Sequence, residues 1–390
     1  MNPPRVSVLV ERLGPYHVAR LNALGRRLGA DRVQAIEIAA GSTRTPWSAP
    51  ASGGFGVVRL FPGRDYAELR GGRLRAAVRA ALDALRPEAV AVNGWGFVEA
   101  RAALRWCRAT ATPAVLMSDS QDRGGWRWAP REVVKRAFVS MADSAFVAGA
   151  RHAAYVERLG MAPGRVILGY DVVDNAHFRD GAERARADAG AAARLGLPPR
   201  YFLCCARFIP EKNLPALLDA YARYVVASPP APWDLVLVGD GPLGPRLRSA
   251  ARALGVGERV RFTGPVQHPE LPAYYGLASA LVLPSASDTW GLVVNEAMAA
   301  GLPVLVSRAC GCVPELVREG VNGFTFDPRD RAALAALLAR VATAPDLEAM
   351  GRASRELVAA FTPETFAENM ERAIDLAVGA RPGSRRRSAA

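Results

Sequence analysis

The sequence predicts an α/β protein of two domains, each a parallel sheet covered by helices. Three observations predict it. At 390 residues the chain exceeds one typical domain. Short apolar runs alternate with amphipathic helical patterns throughout, as parallel strands joined by crossover helices require. A stretch rich in Ala, Arg, Gly and Pro, residues 179–200, separates two such series and is read as the interdomain linker. The expected division is 1–180, 200–362, a closing helix within 363–380, and a basic tail at 381–390.

In the first series, residues 6–10 form the opening strand. Val18, Leu21, Leu24 and Leu28 then mark one face of a helix beginning at His17. Further strands are expected at 89–92, 114–117, 145–148 and 166–168. In the second series, strands are expected at 201–206, 235–238, 260–262, 280–283 and 304–307, with helices at 214–226, 243–254 and 292–300 between them. Thr362 and Pro363 suit the N-cap and first position of a last helix running to 378.

Half the residues are apolar, enough for a core in each domain, yet no apolar run reaches the roughly 18 residues a membrane span needs. Residues 1–10 run straight into Glu11 and Arg12 and read as a strand rather than a signal peptide. Cys107, Cys204, Cys205, Cys310 and Cys312 match neither a disulfide framework nor a zinc site. They read as small buried residues in a reducing cytoplasm. The formal charge is +13, and lysine occurs only at positions 135 and 212. Arginines spread along the chain are what an Arg- and Ala-favouring coding sequence supplies. A field attracting acidic donors, or anionic lipid at the inner membrane surface, is the sharper reading. The Arg-rich tail is expected to be solvated, the alternative being contact with a membrane or an acidic partner, and no nucleic-acid-binding motif is evident.

The stretch that carries most chemistry runs from Asp288 through Gly291 and Leu292 to Glu296, followed by Gly301 and a strand. It sets two carboxylates eight positions apart across a loop and a helix start. Eight residues in a helix would rise roughly 12 Å. A helix start offers unpaired N–H groups and a partial positive charge, which hold phosphate. One acid can then grip a group on each side of a diphosphate. Arg207 and Lys212 follow an expected strand end, where α/β sheets bind ligands. There an arginine fork and a lysine point charge can clamp a diphosphate. The turn at 239–241 lets a ligand approach backbone, and 263–269, with Gly264, could frame a nucleobase, His268 there reading as a loop histidine rather than a catalytic one.

These residues closely resemble the retaining glycosyltransferases of family 4 (glycosyl transferases group 1). The likeness spans essentially the whole chain, is strongest over 207–326 and is thin before 94. It implies the GT-B fold, two Rossmann-like domains with parallel sheets facing across a cleft, the last helix crossing back to the first domain. It implies a UDP- or GDP-linked donor sugar and a hydroxyl acceptor. Glu296 would hold ribose hydroxyls, and Asp288, where the family usually has Glu, would contact the donor sugar. Arg207 and Lys212 would hold the leaving diphosphate, helped by N–H groups at Gly291 and Leu292. Gly14 would let the backbone approach the donor phosphate. His17 is either a site residue or a helix-terminal one, and Asp119 either meets the acceptor or serves as a cap or turn residue. Trp126 and Trp128 either stack on a sugar or anchor their loop. Residues 149 and 169–174 resemble the family's hinge. No protein nucleophile is called for, and with no Asp-x-Asp pair at a strand end a metal is not required, since Arg207 and Lys212 can meet the leaving charge. The alternatives are a GT-B epimerase, a glycoside phosphorylase, or a non-catalytic partner that binds a nucleotide-sugar.

Overall fold

A computed structural model of the chain describes residues 3–41, 53–122, 129–227 and 231–380. Trp126, Trp128 and the tail 381–390 lie outside the described residues. The chain forms two compact units, one from residues 1–172 together with the stretch from Pro363 onward, the other from residues 173–362.

Among the described residues the first unit carries seven strands: β1 (Val6–Val10), β2 (Val33–Gly41), β3 (Gly56–Asp65), β4 (Ala89–Asn93), β5 (Ala114–Ser118), β6 (Ser144–Val147) and β7 (Val166–Leu168). Their order is β3-β2-β1-β4-β5-β6-β7, all parallel. β1 is buried along its whole length, as a strand covered on both faces must be. The first helix, Pro15–Leu28, starts ahead of His17 because a proline is favoured at the first helical position. Its buried Val18, Leu21, Leu24 and Leu28 form the face the helical period predicts. β2 and β3 have no counterpart in the sequence-based expectation. β3 is a half-exposed edge strand containing Pro62 and Gly63, residues an edge tolerates but which blur its alternation.

The helix Pro363–Gly379 belongs to this first unit. It buries Phe366, Ala367, Met370, Ala373, Ile374 and Ala377. Phe366 packs on Phe146 of β6 with ring centroids 5.1 Å apart, and Ser144 Oγ donates to Ala373 O at 2.7 Å.

The second unit has β8 (Tyr201–Cys205), β9 (Asp234–Val238), β10 (Val260–Gly264), β11 (Ala280–Leu283), β12 (Val304–Ser307) and β13 (Gly323–Phe326). The order is β10-β9-β8-β11-β12-β13, again parallel. Strand order reverses direction between β8 and β11, so the loops after these two strands diverge and leave a crevice for a ligand.

Residues 179–200 are not a linker. Helices Asn175–Ala187 and Ala191–Leu195 occupy most of the stretch, and the division between units falls at Val172. Ala and Arg are strong helix formers, and Asp174 caps the first helix by accepting from His177 N at 3.1 Å. Phe178, Gly181, Ala182 and Ala185 bury their face against the helix Leu271–Leu277. Most of that face is small residues, so its hydropathy looks like a linker's.

Candidate functional site

The site in the second unit is built on the carboxyl ends of its strands. Beyond β8 and β9 the two chains continue to pair: Ala206 N donates to Val238 O, Phe208 N to Asp240 O at 2.8 Å, and Leu243 N to Phe208 O at 3.0 Å. Glycine is required for that approach. A Cβ at Gly239 would lie 2.0 Å from Ala206 O, and one at Gly241 2.7 Å from Phe208 O. Gly239 N also donates to Gly264 O at 2.9 Å, so the loop after β10 joins the same lattice. Arg207 projects from this stiffened segment and is exposed, and among the described residues it makes no ion pair.

Lys212 ends the 3-10 turn Pro210–Lys212, which Asn213 locks from below. Asn213 takes the left-handed conformation (φ 54°), and its Nδ2 donates to Pro284 O at 3.2 Å and Pro328 O at 2.9 Å. The Lys212 ammonium is thereby aimed across the β8/β11 crevice. It donates to Asp288 Oδ2 at 2.6 Å, with the two side chains 17 % and 11 % exposed. Ser285 Oγ donates to the same oxygen at 3.3 Å. The cation of one expected group and the acid of another therefore form a single pair. The backbone supports it: Ala286 N donates to Glu211 O at 2.9 Å and Gly311 N to Asp288 O at 3.2 Å.

Gly291 opens the helix Leu292–Ala299 at φ 105°, a conformation L side chains rarely adopt. A Cβ there would meet Leu283 Cδ2 at 3.0 Å. The helix covers only the second half of the span from Asp288 to Glu296, so the 12 Å helical rise expected between the acids does not apply. Asp288 sits on the loop beside the helix start, and Glu296 sits one turn inside. Glu296 is buried, and Tyr275 donates its hydroxyl to Oε2 at 2.6 Å. Trp290 Nε1 donates to Asn295 Oδ1 at 2.9 Å, pinning the turn that leads into the helix. Gly264 closes β10 with open space around its Cα. His268 stacks on His177 with ring centroids 4.3 Å apart, and burial, then His177, push its pKa down to about 4.

In the first unit, the loop after β1 is held by Glu37 of β2, whose buried carboxylate accepts from Leu13 N at 2.8 Å and from Arg59 Nε at 2.9 Å. Gly14 N then donates to His17 Nδ1 at 3.3 Å. Burial first, and the Arg20 charge second, push the His17 pKa down to about 4. A neutral ring that accepts through Nδ1 carries its proton on Nε2. Gly14 has an ordinary extended φ of −116°, and a Cβ would meet nothing closer than 3.7 Å, so the backbone does not demand glycine there. Asp119 follows β5, close enough to Tyr170 to act on its ionisation. The turn after Ser118 is closed by Ser118 Oγ accepting from Ser120 N at 3.1 Å, and the next described helix, Ala129–Val139, is too distant for Asp119 to cap.

Residues 191–357 match the family model described as glycosyl transferases group 1. A GDP-mannose-dependent alpha-(1-6)-phosphatidylinositol monomannoside mannosyltransferase of Mycobacterium tuberculosis is 32 % identical over 263 residues, 65 % of this chain and 67 % of that protein. This chain belongs to glycosyl transferases group 1. A D-inositol 3-phosphate glycosyltransferase of Streptomyces scabiei is 37 % identical over 215 residues, 53 % of this chain and 47 % of that protein. The matched part of the chain thus spans about half the length of such curated relatives. The sucrose-phosphate synthase structure from Thermosynechococcus elongatus superposes with a TM-score of 0.76 at 22 % identity, covering 96 % of this chain and 99 % of that one. Anabaena HepE in complex with UDP-glucose gives 0.71 at 17 % identity, over 95 % and 99 %. The fold is GT-B.

Within this group 1 chain, the structure gathers Lys212, Asp288, Gly291 and Leu292 at the β8/β11 crevice and sets Arg207 and Gly264 on the adjoining loops. Gly14, His17 and Asp119 stand at strand ends of the first unit. Sequence reasoning missed Tyr275 and Ser285, whose partners are set by packing. It also missed Glu99, on the helix Val98–Thr110 after β4. Glu99 is fully buried, and burial raises its pKa. Tyr66 donates to its Oε2 at 2.9 Å, while Oε1 has no hydrogen-bond partner among the described residues. An acid two residues after Phe97 in an apolar helix start was the available signal.

Proposed function

We propose that this chain is a retaining glycosyltransferase that moves a sugar from a UDP- or GDP-linked donor to a hydroxyl acceptor. The observation that carries this reading is the partly buried Lys212–Asp288 pair at the strand-order reversal, beside the glycine-opened helix, inside the region the family model matches. Asp288 holds the lysine. A donor diphosphate offers Lys212 a stronger, multiply charged partner. Asp288, released from the lysine, turns its oxygens to the sugar hydroxyls.

Arg207, Lys212 and the N–H groups at Gly291 and Leu292 would stabilise negative charge as the diphosphate departs, each such donor typically lowering the barrier by on the order of 3 kcal/mol. Those cations make a metal unnecessary in this reading. Glu296 would orient the ribose, held in place by Tyr275. The Nε2–H of neutral His17 is suited to donate a hydrogen bond to a substrate oxygen, and Asp119 to accept from an acceptor hydroxyl. Retention would follow if the acceptor enters on the leaving-group face, its proton passing to the departing diphosphate. The relatives named for D-inositol 3-phosphate and for a phosphatidylinositol mannoside support a hydroxyl-rich acceptor, and HepE with UDP-glucose supports a nucleotide-sugar donor. Free thiols at all five cysteines suit a cytoplasmic setting.

Incubation with UDP- and GDP-sugars, with and without acceptors, tests the proposal by release of nucleoside diphosphate. Acceptor-dependent release that falls at least about a hundredfold in Lys212→Ala is expected. Interconversion of the donor without acceptor, or release only with inorganic phosphate, would replace transfer by epimerase or phosphorylase chemistry.

A further inference from the structure

At the amino-terminal ends of the strands of the second sheet lies a cavity of about 380 Å³. Arg200 enters it just before β8, Ser279 before β11 and Pro303 before β12. Arg352 and Arg355, on the helix Leu347–Val358, and Arg186, on the helix Asn175–Ala187, complete its cationic lining. Lys212 and Asp288 follow the other ends of β8 and β11. A five-residue strand rises roughly 16 Å, so the two places are separate.

Four arginines line this cavity against one lining carboxylate, Glu348. Glu348 stands 3.8 Å from Arg352 and is 92 % exposed, too solvated to offset much of the charge. Glu183 reaches Arg355 Nη1 at 3.4 Å from outside the lining. Arg186 gives Nη2 to Ala300 O at 2.6 Å, at the end of the helix Leu292–Ala299. Burial lowers the Arg186 pKa, and the neighbouring Arg355 charge lowers it further. Arg355 Nε is buried and has no hydrogen-bond partner among the described residues. It lies over Gly301, where a Cβ would be 2.5 Å away. That packing keeps Nε out of a ligand's reach, but the Arg355 guanidinium as a whole is 38 % exposed and close enough to Arg186 to repel it, a repulsion that an anion between the two would relieve.

The geometry points to a second anion site, built from Arg186, Arg200, Arg352 and Arg355, that takes a small phosphorylated molecule with two or more negative charges. Arginine forks match phosphate oxygens in pairs, and an open cleft of about 380 Å³ has room for a small ligand. This site does not depend on the transferase reading.

Pyrophosphate is the probe, and calorimetry at low salt the measurement. Because pyrophosphate would also bind at Lys212, the full chain carrying Arg207→Ala and Lys212→Ala isolates the second site. That variant is expected to keep one pyrophosphate site. Adding Arg200→Ala and Arg352→Ala should weaken it about tenfold or more. In the unmutated chain, pyrophosphate should shield Arg200 and Arg352 from phenylglyoxal, read by peptide mass mapping, which needs no folded variant. The proposal is overturned if Arg207→Ala/Lys212→Ala protein binds no pyrophosphate, or if neither arginine is shielded. It is equally overturned if Arg352-dependent binding occurs only to phosphatidylserine vesicles, since the ligand would then be a lipid surface.

Discussion

At the scale of single residues, the candidate site is a set of polar groups that hold one another in place. Tyr275 secures Glu296 through a 2.6 Å hydrogen bond in a buried setting, where a missing donor leaves the carboxyl group unpaid on that side. Tyr275→Phe should therefore cost about 2 kcal/mol of stability in urea unfolding and weaken nucleoside diphosphate binding by calorimetry. An unchanged affinity would detach Glu296 from the ribose. Asp288→Asn keeps the shape but removes the charge facing Lys212. It should raise affinity for free nucleoside diphosphate, because the lysine no longer has to leave a carboxylate, while transfer falls. Arg207 with Lys212, and Asp288 with Glu296, were legible as pairs because each pair is local to its own strand-loop-helix segment, after β8 and β11 respectively. Tyr275 was not, since it meets Glu296 from a different helix, and the pairing of Lys212 with Asp288 joins loops after two different strands.

At the scale of elements, the helix Leu292–Ala299 depends on a start that only glycine makes cheaply. Gly291→Ala forces a side chain into φ 105° and toward Leu283. It should lower stability by about 1–3 kcal/mol and displace the N–H groups that would face phosphate. Thermal unfolding and nucleotide affinity should drop together. Strands with uniform burial, such as β1, β4 and β8, were readable from apolar runs alone. β3 was hidden because an edge strand carries polar and turn-forming residues, and the helix Asn175–Ala187 because alanine buries without looking apolar enough.

For the whole molecule, stability should depend on two imidazoles. His17 and His268 titrate near 6.5 when unfolded and near 4 when folded. Between these values the unfolded chain binds more protons, so stability falls as pH drops from about 6.5 to about 4, and is flat with respect to these groups above. Melting temperature should fall between pH 7 and pH 5, and less so in His268→Gln. A second whole-molecule expectation concerns the last helix. Ending the chain at residue 362 exposes the surface around Phe146 and removes the acceptor of Ser144. Limited proteolysis should then degrade the first unit while residues 173–362 survive, although the deletion is at the far end of the chain.

That route has a consequence for how such a chain could have been assembled or could be rebuilt. The first unit is interrupted, and everything from 173 to 362 is spliced into it on two covalent legs. Near those legs, Asn175 Nδ2 donates to Val358 O at 2.9 Å, so the way in and the way out run side by side. A segment whose ends meet can be lifted out as a cassette, and a counterpart from another protein dropped into the same gap, without cutting the sheet that hosts it.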